Sequence, residues 1–226
     1  MVWIPGVDEK PFGIWRTKPG EFRITVSAVG EFSRKKHKLQ VGDKVGIRGP
    51  FGRGFTIPEK RRRVVLIGGG FGVAPLLGLI ERIKNRHVEL VIGARSQKFL
   101  FGEQYAKKMG AQVSITTDDG SCGLKCFATH LLAETLSKKR TDFVYSCGPE
   151  LMMLHVAKIS HRANVPCELS LERFMKCGIG VCGSCTMDDT GFCVCKDGPI
   201  IEGEKALKLI EFGKYRRDSV GVRKNF

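Results

Sequence analysis

The sequence predicts a mixed fold, α/β plus β, built from three consecutive regions. In residues 1–60, short apolar runs alternate with turn signals, which is the pattern of antiparallel strands and looks like part of a small β-barrel. In residues 61–171, strands alternate with helices, which indicates a parallel sheet covered by helices on both faces. Residues 172–226 consist of a cysteine-rich loop followed by a polar tail.

The first region has three strand-like segments. They are rich in β-forming residues and are bounded by turn signals such as Pro19-Gly20 and Gly42-Asp43. The predicted strands lie in the segments MVWIP, EFRITVSAV and DKVGIRGPFGRGF.

The strand–helix alternation begins at Arg63. Its strands are almost continuously apolar, as strands buried on both faces are. Its first helix places Val73, Leu76 and Leu77 on one face, and Pro149 opens its last helix. The predicted strands are RVVLIG, HVELVIGA, QVSITT, DFVYSCG and PCELSLE, and the predicted helices are VAPLLGLIERIKNR, FATHLLAETL and PELMMLHVAKISHRA.

Cysteines near the C-terminus carry the strongest functional signal. Cys177, Cys182 and Cys185 have the spacing C-x4-C-x2-C, which thiolates adopt around a plant-type [2Fe–2S] cluster. Three of the six intervening residues are glycines, whose backbone freedom lets several N–H groups turn towards the sulfurs. This pattern indicates a protein that transfers electrons one at a time.

Other fates of these cysteines fit less well. Structural zinc modules usually have two C-x2-C pairs about 15–20 residues apart, and this loop has one such pair. A disulfide framework is disfavoured because nine cysteines is an odd count and no targeting segment is visible, so we expect reduced thiols in a cytoplasmic protein. Cys193 and Cys195 both remain candidates for the fourth ligand, because residues two apart on a strand face the same way.

The chain is strongly basic, with a formal net charge of +15. Basic runs occur at Arg34-Lys35-Lys36, at Arg61-Arg62-Arg63 and from Lys214 to Arg217. Such a surface can attract nucleic acid, an acidic partner protein or anionic cofactors. The runs lack the interleaved aromatic residues of a nucleic-acid platform, so we expect a solvated face or a partner protein and no nucleic acid. We also expect no membrane association, because no apolar run is long enough to span a bilayer.

A glycine-rich turn joins the first parallel strand to its helix. Gly68, Gly69, Gly70 and Gly72 allow the backbone to approach a diphosphate, and the helix N-terminus offers free N–H groups. The turn departs from the full G-x-G-x-x-G pattern because Pro75 stands in place of the third glycine. Alone, the same residues fit a tight turn without a ligand equally well.

Cys147, Gly148 and Pro149 follow a later strand of the same sheet. Ligands of open α/β sheets bind at the carboxyl ends of the strands, so Cys147 is expected to face the same crevice as Gly70 and Gly72. The alternative is a buried, inert cysteine.

Acidic residues follow the third parallel strand. In a nucleotide site, the carboxylates of Asp118 and Asp119 would disfavour an additional 2′-phosphate, which favours NAD over NADP. Arg95 favours the opposite choice. Outside a nucleotide site, Asp118-Asp119-Gly120 is simply a turn.

Together, the segments GGGFGVAP, TTDDGS, SCGPELM and the C-x4-C-x2-C loop ending in VCKDGPI resemble the electron transfer subunit of NAD-dependent (class B) dihydroorotate dehydrogenase, within the ferredoxin-reductase superfamily. The similarity extends to PGVDEKPFGI, VGDKVGIRGPFGRGF and the tail EFGKYRRDSVGVR, which looks like that of archaeal members. The resemblance implies an FAD-binding barrel over 1–60, an NAD-binding domain over 61–171 and a [2Fe–2S] domain over 172–226. It also implies that Cys195, within the V-C-x-D-G-P element, is the fourth cluster ligand.

The chain departs from this family in two ways. Members usually have two more strands before the segment that matches MVWIPG, which predicts an incomplete barrel or a misassigned start. The family's flavin motif is approximately Arg-Pro-x-Ser, and here it is Lys10-Pro11-Phe12-Gly13. Lys10 keeps a positive charge for a flavin phosphate without the bidentate fork of arginine, and Gly13 lacks the serine hydroxyl.

The expected mechanism follows from the chemistry of the cofactors. NADH donates two electrons as a hydride and an iron–sulfur cluster accepts one, so a flavin is needed between them. The resemblance implies exchange of electrons with a separate, FMN-containing catalytic subunit that interconverts dihydroorotate and orotate in pyrimidine biosynthesis. Alternatives are the NAD(P)H-reactive subunit of a sulfhydrogenase or of a ferredoxin:NADP oxidoreductase, a zinc-stabilised binding module, and a carrier without flavin. No general acid or nucleophile is predicted.

Overall fold

The protein is described here by a computed structural model that covers residues 1–57, 63–83 and 87–226. Arg61 and Arg62 of the second basic run, and the end of the predicted helix VAPLLGLIERIKNR, lie outside these residues. In chain order the elements are β1 (Val2–Ile4), β2 (Asp8–Lys10), β3 (Ile14–Lys18), β4 (Glu21–Ile24), α1 (Glu31–Lys38), β5 (Gly46–Ile47), β6 (Arg63–Gly69), α2 (Val73–Arg82), β7 (His87–Ala94), α3 (Glu103–Lys108), β8 (Gln112–Thr117), α4 (Ala128–Lys138), β9 (Phe143–Cys147), α5 (Glu150–Arg162), β10 (Cys167–Ser170), β11 (Ile200–Glu202), α6 (Gly203–Leu207), β12 (Tyr215–Arg217) and β13 (Arg223–Asn225).

A small β lobe is formed by the N-terminal elements. An antiparallel sheet has the order β2-β1-β5, and β3 pairs with β4 in a separate ribbon. Alternation along β1 buries Val2 and Ile4 and leaves Trp3 exposed, as expected of a sheet with one covered face. Phe32 of α1 completes this core. The predicted strand EFRITVSAV is longer than the observed one, which ends at Ile24.

The central sheet is parallel over five strands, as the dense apolar segments predict. Its order is β11-β10-β9-β6-β7-β8, and only β11 runs antiparallel. The strand order reverses between β6 and β9, because the chain adds β7 and β8 on one side and β9 and β10 on the other. This reversal is the position at which open α/β sheets bind their ligands.

Helices cover both faces of this sheet. On one face, Leu76 and Leu77 of α2 pack with Leu66 of β6. On the other, Met153 and Val156 of α5 pack with the remaining inward side chains of the strands. Such two-sided burial explains why β6 is apolar after Arg63 and has no polar alternation.

The C-terminal region is attached to the same sheet. After the cysteine loop, β11 returns to pair with β10, which has Leu169 opposite Ile201. The tail, predicted only to be polar, forms α6 and the hairpin β12–β13. Over the ranges described, no helix has both the length and the apolar character needed to cross a membrane. The predicted fold class, α/β plus β, is confirmed.

Candidate functional site

Two turns meet at the carboxyl edge of the switch point between β6 and β9. Gly68 lies opposite Cys147 in the strand register. The backbones of Gly72 and Cys147 are so close that a Cβ atom on Gly72 would lie within 3.0 Å of the Cys147 carbonyl group. A Cβ on Gly69 would lie 2.5 Å from Cδ of Pro149. The glycine-rich turn and the turn after β9 therefore meet at one edge of the sheet, where the sequence predicts a crevice.

The floor of this crevice is suited to a phosphate. Gly70 has a left-handed φ of +53°, and Gly70–Gly72 form a 3-10 turn that leads into α2. The Val73 amide already donates to the carbonyls of Gly70 and Phe71, so the N–H groups that precede the first helical hydrogen bonds are those of the Gly70–Gly72 turn, and they are natural donors to an anion. Gly148, with a φ of +154°, packs against the backbone of Gly69 on the opposite side.

Cys147 is not an activated nucleophile. Burial of its thiol raises the pKa to about 12, and the hydrogen bond with Ser170 opposes this shift only in part. The side chain packs with the apolar cluster beneath α2. Cys147 is therefore a neutral, partly buried side chain next to the predicted crevice.

The loops after β7 and β8 lie side by side at the same edge. The Asp119 amide donates to the Arg95 carbonyl at 3.3 Å, and the Gln97 amide donates to the Ser121 hydroxyl at 2.8 Å. Hydrogen bonds from the hydroxyl and amide of Ser121 lower the pKa of Asp119. Asp119 and Arg95, the acidic and the basic candidate for nucleotide selection, are thus backbone neighbours, and the preference for NAD stays a prediction.

The predicted flavin motif, Lys10–Gly13, ends next to the first turn of α2. A Cβ atom on Gly13 would lie 3.1 Å from Cγ of Pro75, and the Trp15 backbone packs closely on Gly78 of α2. Phe12 contacts Phe32 in the core of the β lobe, with ring centroids 6.0 Å apart. Pro11 precedes this contact.

Lys10 occupies a junction between lobes. Its ammonium group pairs with Asp8 and lies 5.2 Å from the ring centroid of Phe174, which precedes the cysteine loop. The segment Lys10–Gly13 therefore extends from the cluster region at one end to the first turn of α2 at the other. It retains one cation suitable for a phosphate.

The cysteine loop wraps its backbone N–H groups around sulfur atoms. Cys177 Sγ accepts from the amides of Ile179 and Val181, both at 3.4 Å, and Cys195 Sγ accepts from Gly180 at 3.2 Å. The amide of Cys195 donates to Cys185 Sγ at 3.3 Å. Such donors stabilise thiolate ligands and are the second coordination sphere that a cluster needs.

The four predicted ligands form an outer and an inner pair. Cys177 and Cys182 share a thiol hydrogen bond at the surface, and the backbone amides of Cys182, Ile179 and Val181 lower the pKa of Cys177 to about 6. Cys185 and Cys195 are both buried, and burial followed by the Cys185 thiol raises the pKa of Cys195 to about 12.

Two pairs suit two iron atoms better than one zinc ion. Each iron of a [2Fe–2S] cluster takes two protein ligands, whereas tetrahedral zinc needs four side chains that converge on one point. The donor set therefore fits a binuclear cluster.

Cys193 has different partners from Cys195. Its thiol hydrogen-bonds with Thr186 at 3.1 Å, across the short hairpin inserted between Cys185 and Cys195. Its amide donates to the Asp197 carboxylate at 2.9 Å.

The β lobe also touches the cysteine loop directly. A Cβ on Gly178 would lie 3.1 Å from Phe51, and the Arg53 amide donates to the Gly198 carbonyl in the element that follows Cys195. A second contact, which we call the latch, joins the segment after β5 to β10. In it, the buried Glu168 carboxylate accepts hydrogen bonds from the amide and hydroxyl of Thr56 at 2.8 and 2.6 Å. The β lobe is thus held against both other regions.

A buried charged network was not anticipated from the sequence. Arg173, which is 5% exposed, bridges the carboxylates of Glu150 and Glu211. A relevant sequence signal is that Glu150 directly follows Cys147-Gly148-Pro149 and Arg173 lies shortly before Cys177. Charged residues usually lie on the surface, so their position beside two motifs does not predict that Glu150 and Arg173 are buried.

Comparisons with known proteins define the class first. A family model for an oxidoreductase NAD-binding domain matches residues 66–158. The solved structure of an NADH-dependent reduced ferredoxin-NADP oxidoreductase, described in connection with flavin-based electron bifurcation, is 29% identical and superimposes with a TM-score of 0.80 over 90% of this chain and 76% of the other. The protein is an oxidoreductase component with the ferredoxin-reductase fold.

More specific matches follow. The model for the iron–sulfur cluster binding domain of dihydroorotate dehydrogenase B matches residues 172–206. Probable electron transfer subunits of dihydroorotate dehydrogenase B (NAD(+)) from Methanocaldococcus jannaschii and Methanothermobacter thermautotrophicus are 44% and 43% identical over 98% and 99% of this chain and 84% of each relative. A Pyrococcus furiosus relative of the same name is 42% identical over 98% of this chain and 84% of its own length. The chain belongs to the family of dihydroorotate dehydrogenase B electron transfer subunits, and the predicted resemblance is confirmed.

Proposed function

We propose that this chain transfers electrons between NAD(H) and the FMN-containing catalytic subunit of a dihydroorotate dehydrogenase through FAD and a [2Fe–2S] cluster, in pyrimidine biosynthesis in the cytoplasm. One observation carries the proposal. The β lobe contacts the first turn of α2, directly after the glycine-rich turn, through Gly13 and Pro75, and it contacts the cluster loop through Phe51 and Gly178. A flavin held by this lobe would lie between the two other redox groups, as the conversion of a hydride into single electrons requires.

Each proposed role has its own supporting geometry. For NAD, the binding residues are Gly68, Gly69, Gly70, Gly72, Cys147, Gly148 and Pro149 at the switch-point crevice. For FAD they are Lys10, Pro11, Phe12 and Gly13. The cluster ligands are Cys177, Cys182, Cys185 and Cys195. The domain bounds 1–60, 61–171 and 172–226 belong to the same proposal, with the matched segments 66–158 and 172–206 inside the second and third domains.

In this mechanism the chain binds and orients its cofactors and carries out no acid–base step. Bound FAD would supply the exchange between two-electron and one-electron transfer. The amides of the Gly70–Gly72 turn would hold the pyrophosphate, and the neutral Cys147 side chain would keep one wall of the crevice apolar. The amides of Ile179, Gly180 and Val181 stabilise negative charge on the cysteine sulfurs.

The exit for electrons is proposed at the exposed side of the cluster loop. Ile179 and Val181 are 53% and 78% exposed beside the exposed Cys182. Apolar side chains that project next to the outer cysteine pair give a partner subunit a surface to cover, and covering it would shield the transfer path from water. The catalytic subunit is the proposed partner.

A ferredoxin:NADP oxidoreductase role is the second candidate, and the 29% identity to such a structure supports it. The deciding experiment is anaerobic purification of the chain with its partner, followed by iron, sulfide and flavin assays and reduction by NADH. Oxidation of dihydroorotate coupled to NAD reduction supports the first proposal. Activity with ferredoxin alone supports the second, and a colourless, zinc-containing protein would refute both.

A further inference from the structure

Arg173 makes an unusually complete set of hydrogen bonds for a buried side chain. Its two terminal nitrogens both reach the Glu150 carboxylate, one of them at 3.0 Å, and Nε donates to Glu211 at 2.7 Å. Nη1 also donates to the Glu172 carbonyl at 2.8 Å. Although burial opposes its charge, the bonds with Glu150 and Glu211 raise the pKa of Arg173, so the guanidinium stays protonated.

The same carboxylates hold backbone from three parts of the chain. Glu150 is the first residue of α5, directly after the cofactor crevice, and its Oε1 also accepts from the Gly213 amide at 2.9 Å. Glu211 Oε2 accepts from the Asp188 amide at 3.1 Å. Both carboxylates are therefore shared between the guanidinium and a backbone amide.

These contacts lie on two segments of the cluster loop, which we call its first and second arms. Arg173 is in the first arm, four residues before Cys177, the first ligand of the outer pair. Asp188 is in the second arm, the hairpin between Cys185 and Cys195, three residues after Cys185. The network thus joins both arms and the first turn of α5 in one place.

We propose that Arg173 is a positioning residue, which holds both arms of the cluster loop at a set distance from the cofactor crevice at Cys147–Pro149. The inference rests on the proposed function, because the distance between the cluster loop and the crevice has a consequence only if electrons cross it. A side chain at position 173 that made a single ion pair would hold only one of the two arms. The planar fork fixes both, because its donors have a rigid geometry that lysine cannot reproduce.

The test compares Arg173→Lys with the parent in the full chain containing FAD and cluster. We expect the dithionite-reduced variant to give a broadened cluster EPR spectrum, because the ligand loop samples several geometries. NADH-driven cluster reduction in stopped flow is expected to slow about ten-fold, the lower end of outer-sphere effects. Flavin bleaching by NADH should stay within about two-fold of the parent, since the NAD crevice keeps its residues.

The control for general loosening is Leu132→Ala. Leu132 is fully buried on α4, a helix that contributes no residue to the network. A cavity there destabilises the fold without changing the fork. The proposal is overturned if Leu132→Ala broadens the EPR spectrum and slows cluster reduction as much as Arg173→Lys, or if Arg173→Lys has the parent's spectrum and rate.

Glu211→Gln provides a second variant if Arg173→Lys does not assemble a cluster. It keeps the hydrogen bonds between Arg173 and Glu150 and weakens only the connection to the second arm. A smaller broadening than in Arg173→Lys therefore supports the proposal, and an unchanged spectrum refutes it. The dithionite spectrum requires neither NADH nor the partner. A parent that NADH cannot reduce would therefore refute the proposed function, while the EPR comparison still decides the role of Arg173.

Discussion

The carbonyl group of Cys147 lies within 3.0 Å of the position that a Cβ atom on Gly72 would occupy. The two residues belong to the turns after β9 and β6, so their contact closes the crevice at the switch point. Any side chain at position 72 must separate these turns. Because both sides of this contact are backbone, a change of side-chain rotamer cannot relieve the overlap.

Gly72→Ala is therefore expected to raise the KM for NADH by about 10–100-fold, the effect of displacing a binding group by about 1 Å. Overpacking should also lower the free energy of unfolding by about 1–3 kcal/mol. The matched control is Gly54→Ala, because a Cβ on Gly54 meets no atom within 4 Å. A parent-like KM in a correctly folded Gly72→Ala protein would contradict the assignment of this crevice to NAD.

Cys195→Ser is expected to abolish the cluster, whereas Cys193→Ser should retain it. Cys195 Sγ accepts from Gly180 within the loop and pairs with Cys185, while Cys193 is bound to Thr186 in the inserted hairpin. Iron and sulfide analysis with the visible absorption spectrum measures the outcome. The opposite result for the two serine variants would make Cys193 the fourth ligand.

Patterns that depend on neighbours in the chain were predictable. The parallel strands follow from runs such as Val64–Ile67, and the four predicted cysteine ligands lie in one loop, with amides directed at their sulfurs. One contact between distant residues, the approach of Gly72 to Cys147, was also predictable, because ligands of open α/β sheets bind at the carboxyl ends of the strands.

Contacts between distant segments were less predictable. Helix α1 has few apolar residues, and only Phe32 shows which face is buried. The strand around Ile201 is too short for its periodicity to indicate pairing with β10. Arg173 meets Glu150 and Glu211 only after folding, because charge pairing has no periodic signature in the sequence.

Thr56→Val should loosen the latch between the β lobe and β10. Glu168 is 2% exposed, and the substitution removes the hydroxyl donor at 2.6 Å while it keeps the side-chain shape. The loss of a hydrogen bond to a buried carboxylate is expected to lower the free energy of unfolding by about 1.5–3 kcal/mol, measured by urea denaturation. The exposed Thr190→Val is the control and should change stability by less than about 0.5 kcal/mol. Equal effects of both variants would argue against the latch.

The tail hairpin should detach in acid. Hydrogen bonds from Tyr215 and Arg217 lower the pKa of Asp188. Because the pKa of Asp188 is lower in the folded protein than the ordinary value of about 4, its carboxylate stabilises the fold at pH values above about 4. This stabilisation is lost as the pH falls through the folded-state pKa.

Hydrogen exchange of residues 214–226, corrected for intrinsic rates, should therefore show protection at pH 7 that declines below about pH 4. Asp188→Asn should have low protection at both pH values, with little dependence on pH. Parent protection that persists to low pH would show that the hairpin is held by other contacts.

Lys10 tests the flavin site, where the chain departs most from the family motif. Its ammonium group is held by Asp8 beside Phe174, at the end of the segment that reaches Gly13 and Pro75. Lys10→Ala is expected to weaken FAD binding about ten-fold, since a charged hydrogen bond of about 1.5 kcal/mol is lost. Flavin fluorescence titration measures this change.

The control for Lys10→Ala is Lys18→Ala, which removes an exposed charge paired with Glu21 at the far end of β3. The two variants have the same net charge, so a difference between them reports the site and not the overall field. The effect of Lys10→Ala should shrink at high salt, because a lysine–phosphate contact near the surface is screened. Equal FAD affinity in the parent and both variants would place the flavin phosphates away from Lys10.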